Sequence, residues 1–317
     1  MRKSCLVALV LLAAVLLAIS VSLRRCYLAT TGDADRADVT LSVSTKPDPE
    51  AATHATLDAT LLSLDGAGTA GLDGLALESL RPLTTEPLTI YGLAASADML
   101  YFAGCDGSGA CGQVFALDAS TFAPEGQIRV AVDGYPLPGG IQIRGDELWV
   151  WQLGGNEADM TLVVVLDRGS LQERVRLTLP GAARSLIVMP DGTLRGTSGD
   201  GDWFYRWASD GGAVSRQANT AGATYSDCEL LSGSMACAGI LEDGAGVLDV
   251  LDPTEFSLLA RHMANARTEG GDQVVGGAWA HSLGRFMFVP QRGELPILWT
   301  YALDGISLQH YIPSLEP

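Results

Sequence analysis

Phe115-Ala116-Leu117-Asp118-Ala119, Trp207-Ala208-Ser209-Asp210-Gly211 and Tyr301-Ala302-Leu303-Asp304-Gly305 share one pattern: an aromatic residue, an alanine, a variable residue, an aspartate and a small residue. Val164-Val165-Leu166-Asp167-Arg168 and Asp249-Val250-Leu251-Asp252-Pro253 stand between them, and Leu62-Ser63-Leu64-Asp65-Gly66 comes before them. The aspartates fall at 65, 118, 167, 210, 252 and 304, a spacing of 42 to 53 residues. Upstream of each lie two apolar segments of strand length, such as Asp98-Met99-Leu100-Tyr101-Phe102 and Gly145-Asp146-Glu147-Leu148-Trp149-Val150-Trp151. Downstream lies one more, such as Gly126-Gln127-Ile128-Arg129-Val130 or Glu173-Arg174-Val175-Arg176-Leu177. The downstream segments alternate apolar and polar residues, as a half-exposed outer strand does, whereas the upstream ones are uniformly apolar and so read as buried on both faces. The aspartate is expected to end the third strand of each unit and to cap the turn into the fourth with its carboxylate.

Four strands per unit, a period of about 40–50 residues and little helical periodicity describe the blades of a β-propeller. The fold class expected is therefore all-β, a propeller of about five to seven four-stranded blades. Five units are clear. The N-terminal one either stands alone or shares strands from both chain ends to close the ring. A pair of β-sandwiches is the alternative architecture. At the level of this repeat alone, over roughly residues 55–317, the chain resembles the quinoprotein-like and YVTN-type propellers, although no Trp-Asp dipeptide ends its strands. That resemblance implies loops gathered around a central channel, where propellers bind proteins or small ligands and where exported hydrolases, lyases and quinone-dependent dehydrogenases place their chemistry.

The N-terminus has a different character. Ser4 to Leu23 carries no charge, follows Arg2 and Lys3 and precedes Arg24 and Arg25. As a helix rising about 1.5 Å per residue it would span about 30 Å, the hydrocarbon thickness of a bilayer. Two readings stand side by side. The length and the basic pair that follows fit a signal-anchor helix; the basic start and a small-residue site at Ala18-Ile19-Ser20 fit a cleaved signal peptide. A lipoprotein reading fails because Arg24-Arg25, not small residues, precede Cys26. The expected organisation is thus residues 1–25 for targeting, with membrane contact through residues 4–23, then a linker over 26–54 and a propeller-like domain over 55–317. Within the linker, Val39-Thr40-Leu41-Ser42-Val43 alternates as a strand would.

The chain has six cysteines, two of which, Cys5 and Cys26, belong to the targeting segment. A two-residue Ser232-Gly233 turn would pair Leu231 with Ser234 and, counting outward, place Cys228 opposite Cys237 at a non-hydrogen-bonded pair. There the Cα atoms approach to about 4.5 Å, within disulfide reach. Cys105 and Cys111 bracket Asp106-Gly107-Ser108-Gly109-Ala110, a loop joining two strands. Reduced buried thiols are the alternative for both pairs, and a zinc site lacks the C-x₂-C spacing. Disulfides imply an oxidising compartment and agree with an exported domain, either membrane-anchored with its bulk outside the cytoplasm or secreted or periplasmic after signal cleavage.

Hydrophobic residues make up 47% of the 317 and charged ones 18%, enough for a sizeable core and too apolar for wholesale disorder. Net charge is −17, and Lys46 is the one lysine beyond the N-terminus, so the domain repels phosphate backbones and nucleic acid is excluded as a partner. His54, His262, His281 and His310 are scattered, with no H-E-x-x-H, and the chain contains no G-x-S-x-G elbow, P-loop or S-x-x-K. Gly199-Asp200-Gly201-Asp202-Trp203 offers two carboxylates on a tight turn, too few oxygens for calcium. Trp149, Trp151, Trp203, Trp207, Trp279 and Trp299 sit at strand positions, where indoles pack between blades. The sequence therefore singles out no catalytic, metal or cofactor residue. It points to a cell-envelope binding or scaffold protein with a protein or small-molecule ligand; the alternative is an exported enzyme with its site at the channel.

Overall fold

The computed structural model describes residues 76–302, apart from 84–87, 107, 109, 131–134, 136, 155–158, 213, 265–273, 275, 276, 283, 284 and 291–295. The described chain begins with β1 (Ala76–Pro82), which pairs antiparallel with the last strand, β20 (Ile297–Ala302). That pairing closes a ring of five four-stranded antiparallel sheets. Blade one holds β2 (Leu88–Ala95), β3 (Met99–Asp106), β4 (Cys111–Asp118) and β5 (Pro124–Arg129). Blade two holds β6 (Leu137–Arg144), β7 (Glu147–Leu153), β8 (Met160–Asp167) and β9 (Glu173–Pro180). Blade three runs through β10 (Ala183–Val188), β11 (Leu194–Ser198), β12 (Trp203–Trp207) and β13 (Val214–Ala218). Blade four runs through β14 (Ala223–Leu231), β15 (Ser234–Leu241), β16 (Gly246–Leu251) and β17 (Leu258–Ala264). Blade five takes β18 (Ala278–Ser282), β19 (Arg285–Val289) and β20, with β1 as its outer strand.

The protein is thus a five-bladed β-propeller, the low end of the five to seven blades that the repeat allowed. A sixth unit is not a separate blade, because the N-terminal strand is spent completing blade five. The segment around Asp65, the Val39–Val43 strand and the apolar N-terminal run all lie outside the described residues, as does Asp304. Among the described residues no helix is long and apolar enough to cross a membrane.

The first strands of consecutive blades, β2, β6, β10, β14 and β18, touch one another around the axis. Fourth strands face solvent: β5 and β13 are exposed or half-exposed along their whole length. Middle strands such as β3 and β8 are buried at every interior position. One apolar cluster fills each blade-to-blade interface. Between blades two and three, for example, Trp149 and Trp151 pack with Leu186, Tyr205 and Trp207. The indoles are packing elements that also tie backbones together, as where Trp207 Nε1 donates to Pro180 O at 2.7 Å.

The repeating aspartates do cap the turns between third and fourth strands. Asp118 Oδ1 accepts from the backbone N–H groups of Ser120 (2.9 Å) and Thr121 (2.7 Å), Asp167 Oδ1 from Gly169 (3.1 Å) and Ser170 (2.8 Å), and Asp252 Oδ1 from Thr254 and Glu255 (both 2.7 Å). Hydrogen bonding to Ser120 and Thr121 holds the Asp118 carboxyl near about 2, and Ser170, joined by Arg174, does the same for Asp167. In each of these turns the residue four positions after the aspartate donates its N–H back to the aspartate carbonyl and has a left-handed backbone: Phe122 (φ 62°), Leu171 (φ 57°) and Phe256 (φ 53°). A side chain there costs about 1 kcal/mol or more relative to glycine. What offsets the cost is burial. Phe256 is 1% exposed, stacks on Phe204 of blade three at 4.7 Å between centroids, and lies under the Arg206 guanidinium at 4.5 Å. In blade three Asp210 caps Gly212 N (2.9 Å), and glycine (Gly211, φ 75°) takes the left-handed position.

Phe256→Ala is expected to lower stability by about 3–5 kcal/mol, because alanine keeps the left-handed strain and gives up the packing between blades three and four. Phe122→Ala, at a half-buried site, is expected to cost distinctly less. Urea unfolding of the two variants beside the parent measures both.

Candidate functional site at the channel mouth

Four of the five inner strands carry a β-bulge at the same place. The register slips between Ile90 and Gly92 in β2, Pro138 and Gly140 in β6, Ala183 and Ser185 in β10, and Tyr225 and Asp227 in β14. The inserted residues are Tyr91, Gly139, Arg184 and Ser226; in blade five, Gly277 stands at the matching place just before β18. A bulge leaves one residue out of the ladder and re-aims its side chain. Here all five residues line one cavity of about 80 Å³ on the channel, with Ile90, Pro138 and Leu153 supplying apolar walls.

The polar members are held differently. Ser226 Oγ donates to Gly277 O at 2.9 Å, tying blade four to blade five. Arg184 has its backbone fixed, since its carbonyl accepts from Trp151 Nε1 at 2.9 Å. Its half-buried guanidinium makes no hydrogen bond or ion pair among the described residues. Burial lowers its pKa from the ordinary arginine value, and the nearby Tyr91 hydroxyl works against that shift.

One residue beyond Ser226, the chain places a carboxylate on the axis. Asp227 is 1% exposed. Its carboxylate accepts from the backbone N–H groups of Cys228 in its own blade (3.0 Å), Trp279 in blade five (3.3 Å) and Leu93 in blade one. Blades one and four are not neighbours in a ring of five, so a group that reaches both stands at the centre. Burial, reinforced by the charge of Glu229, raises Asp227 well above the usual carboxylate range.

Two residues further, Glu229 Oε2 accepts from His281 N at 3.1 Å. Gln142 in blade two makes the same link, its Oε1 accepting from Val188 N at 2.7 Å. Burial pushes the half-buried Glu229 up to about 8, so at neutral pH it stands as a neutral acid in a position where another blade uses an amide. His281 is lowered by burial, and its Nε2 has no hydrogen-bond partner among the described residues.

The cysteines meet as the sequence implies. Cys228 and Cys237 pair across β14 and β15 with Cα atoms 4.1 Å apart, and Ser232 (φ 50°) and Gly233 (φ 85°) form the tight turn. Cys105 and Cys111 are bonded at a Cα separation of 3.9 Å. Neither disulfide lines the cavity, but the Cys228 bridge adjoins Asp227 and braces the strand that carries it. Asp200 is a turn cap, accepting from Asp202 N at 3.0 Å. Among the described residues no group of His, Cys, Asp and Glu is arranged to hold a metal ion; His54 and His310 lie outside them.

The cavity residues were not visible as a set in the sequence, since a bulge is a property of register. A trace exists for one of them: Arg184 is the one charge in its inner strand, β10, a position where a charge is costly.

No protein-family model matches the chain, and no curated protein matches it by sequence. Solved structures match the fold. The glutaminyl cyclase of Myxococcus xanthus superposes with a TM-score of 0.53 at 17% identity, covering 72% of this chain and 95% of that one. The aldose sugar dehydrogenase of Streptomyces coelicolor, solved with bound PQQ, gives 0.40 at 12% identity over 72% and 99%. The calcium-binding protein regucalcin of Agrobacterium tumefaciens gives 0.43 at 11% over 70% and 93%. At these identities the likeness is one of fold, the propeller.

Glu229→Gln is expected to flatten the pH dependence of stability. The folded chain keeps the Glu229 proton up to about 8, whereas the unfolded chain releases it near 4.5. Between those values the folded state binds the extra proton, so the parent loses stability as pH rises. The variant's advantage should be negligible below pH 4.5 and reach on the order of 1–4 kcal/mol by pH 8, as measured by urea unfolding across that range.

Proposed function

We propose that this chain is an extracytoplasmic β-propeller that binds a small molecule at the mouth of its channel. The observation that carries the reading is the convergence of inner-strand bulges, which brings Tyr91, Arg184 and Ser226 from three blades to one cavity. Strand pairing alone does not require bulges at equivalent places, and a bulge that re-aims a side chain towards a cavity is a device for building sites. The two disulfides support an oxidising compartment. The apolar run Ser4–Leu23 is the export element, and as an uncleaved anchor it would keep the domain at the outer face of the membrane.

Binding is favoured over catalysis by where the acids sit. Asp227 is engaged by three backbone N–H groups and Glu229 by a fourth, and neither lines the cavity. A carboxylate so held orders the fold and is poorly placed to move a proton on a ligand above it.

Incubating the purified full chain with a small-molecule extract of envelope material, followed by native mass spectrometry, is expected to show a bound mass. Ser226→Phe, which fills the cavity, should show none. A parent protein that retains nothing, or a variant that retains the same mass, would overturn the reading. For the compartment, protease added to cells stripped of any outer layer but with the cytoplasmic membrane intact should degrade the domain, and full protection would count against export.

A further inference from the structure

We propose that the ligand is an organic monocarboxylate whose carboxylate group pairs with the guanidinium of Arg184 while its short apolar portion lies against Ile90, Pro138 and Leu153. The proposal rests on the reading of the channel mouth as a binding site and adds the chemistry of what binds.

The argument begins with a charge out of balance. Arginine is always charged in proteins, presents its N–H donors in a planar fork, and is chosen where planar bidentate recognition of an oxyanion matters. Two other partly buried arginines are matched. Arg261 pairs with the buried Asp249 at 2.6 Å and donates to Ala221 O at 2.7 Å, and Arg195 donates to Pro253 O at 3.0 Å and Leu194 O at 2.9 Å. Arg184 is aimed into a cavity and has no such partner among the described residues. A charge partly removed from water without compensation is a standing cost, which persists in a fold when the compensating group arrives from outside.

The surroundings narrow the class. Among the described residues that line the cavity Arg184 is the one cation, so a monoanion balances it, whereas a dianion would carry surplus negative charge into a half-buried site. The lining combines two hydroxyl-bearing residues, Tyr91 and Ser226, with the apolar Ile90, Pro138 and Leu153. A volume of about 80 Å³ accommodates a carboxylate and a few carbons, with any larger remainder extending outward. A net charge of −17 makes the protein as a whole repel anions, so affinity must come from the fork and the cavity, not from a basic field.

The test compares propionate with its neutral isostere propionamide and with inorganic phosphate, at constant ionic strength, on the full chain in detergent, read by thermal unfolding and by calorimetry. Propionate should raise Tm saturably and propionamide should not, because anything that binds only the folded state stabilises it. Phosphate should bind at least about tenfold more weakly than propionate. Arg184→Gln should lose the propionate response while unfolding at or above the parent Tm without ligand, since the substitution removes an uncompensated charge. Should that variant fail to fold, Arg184→Lys keeps the charge without the fork and should weaken propionate about tenfold while preserving its advantage over propionamide. Tighter phosphate binding, an equal response to propionamide, or a propionate response unchanged in Arg184→Gln would each overturn the proposal. If the native spectra show a retained molecule and propionate has no effect, the carboxylate class falls and the binding site stands; if nothing is retained and no probe responds, both fall.

Discussion

Five inner strands cannot approach one axis without crowding, and the way this chain resolves the crowding shapes everything around it. A Cβ on Gly92 would stand 2.5 Å from the Cα of Gly140, so blades one and two meet there backbone to backbone. Only residues without side chains permit that approach. On the axis the Asp227 carboxylate satisfies backbone N–H groups from three blades, Leu93 beside Gly92 among them, that a closed ladder would otherwise leave bare. An unpaired buried N–H costs about 1–3 kcal/mol, and one carboxylate answers several of them. The cost of burying that carboxylate is reduced by the same bonds and by a pKa shifted towards the neutral form.

Ring closure solves a second problem, that of holding the first and last blades together. Because β1 comes from the N-terminal side and the other three strands of blade five from the C-terminal side, the first and last described strands of the chain are locked to each other in antiparallel register. Strand addition at the seam holds the first and last described strands together non-covalently, so opening the ring there breaks their antiparallel pairing. The apolar clusters between blades make the same point, because none of them belongs to a single blade.

Much of this was legible from local chemistry. The aspartates that end third strands announced the turn because their acceptor oxygens serve N–H groups two and three residues on, an interaction contained within five residues. The Cys228–Cys237 pairing followed from counting outward from Ser232-Gly233, since a two-residue turn fixes the register of a hairpin. Blade number was less legible, because the seam splits one blade between distant parts of the chain and a repeat count cannot tell a complete unit from a shared one. The left-handed phenylalanines and leucine were missed, although the spacing Asp118-Phe122, Asp167-Leu171 and Asp252-Phe256 repeats in the sequence; a non-glycine residue in that conformation makes sense only once the neighbouring blade that buries it is known. Asp227 and Glu229 were hidden by abundance, being two acids among 37.

The same limitation applied to Arg184, and it bears on how such a site can arise. A cation inside an acidic domain is conspicuous only after the fold puts it beside the channel. The blade repeat provides five equivalent positions there, and the structure leaves two of them, Gly139 and Gly277, without side chains while placing an arginine, a tyrosine and a serine at the others. Symmetry in the scaffold thus supplies a common geometry, and departures from symmetry supply the chemistry. Glu229 and Gln142 make the same argument from the structural side: they occupy matching places in blades four and two, accept the same inter-blade hydrogen bond, and differ by one titratable proton. A fold built from repeats can differ in its channel residues from blade to blade, because each inner strand is held by its own sheet and by the apolar faces of two neighbours.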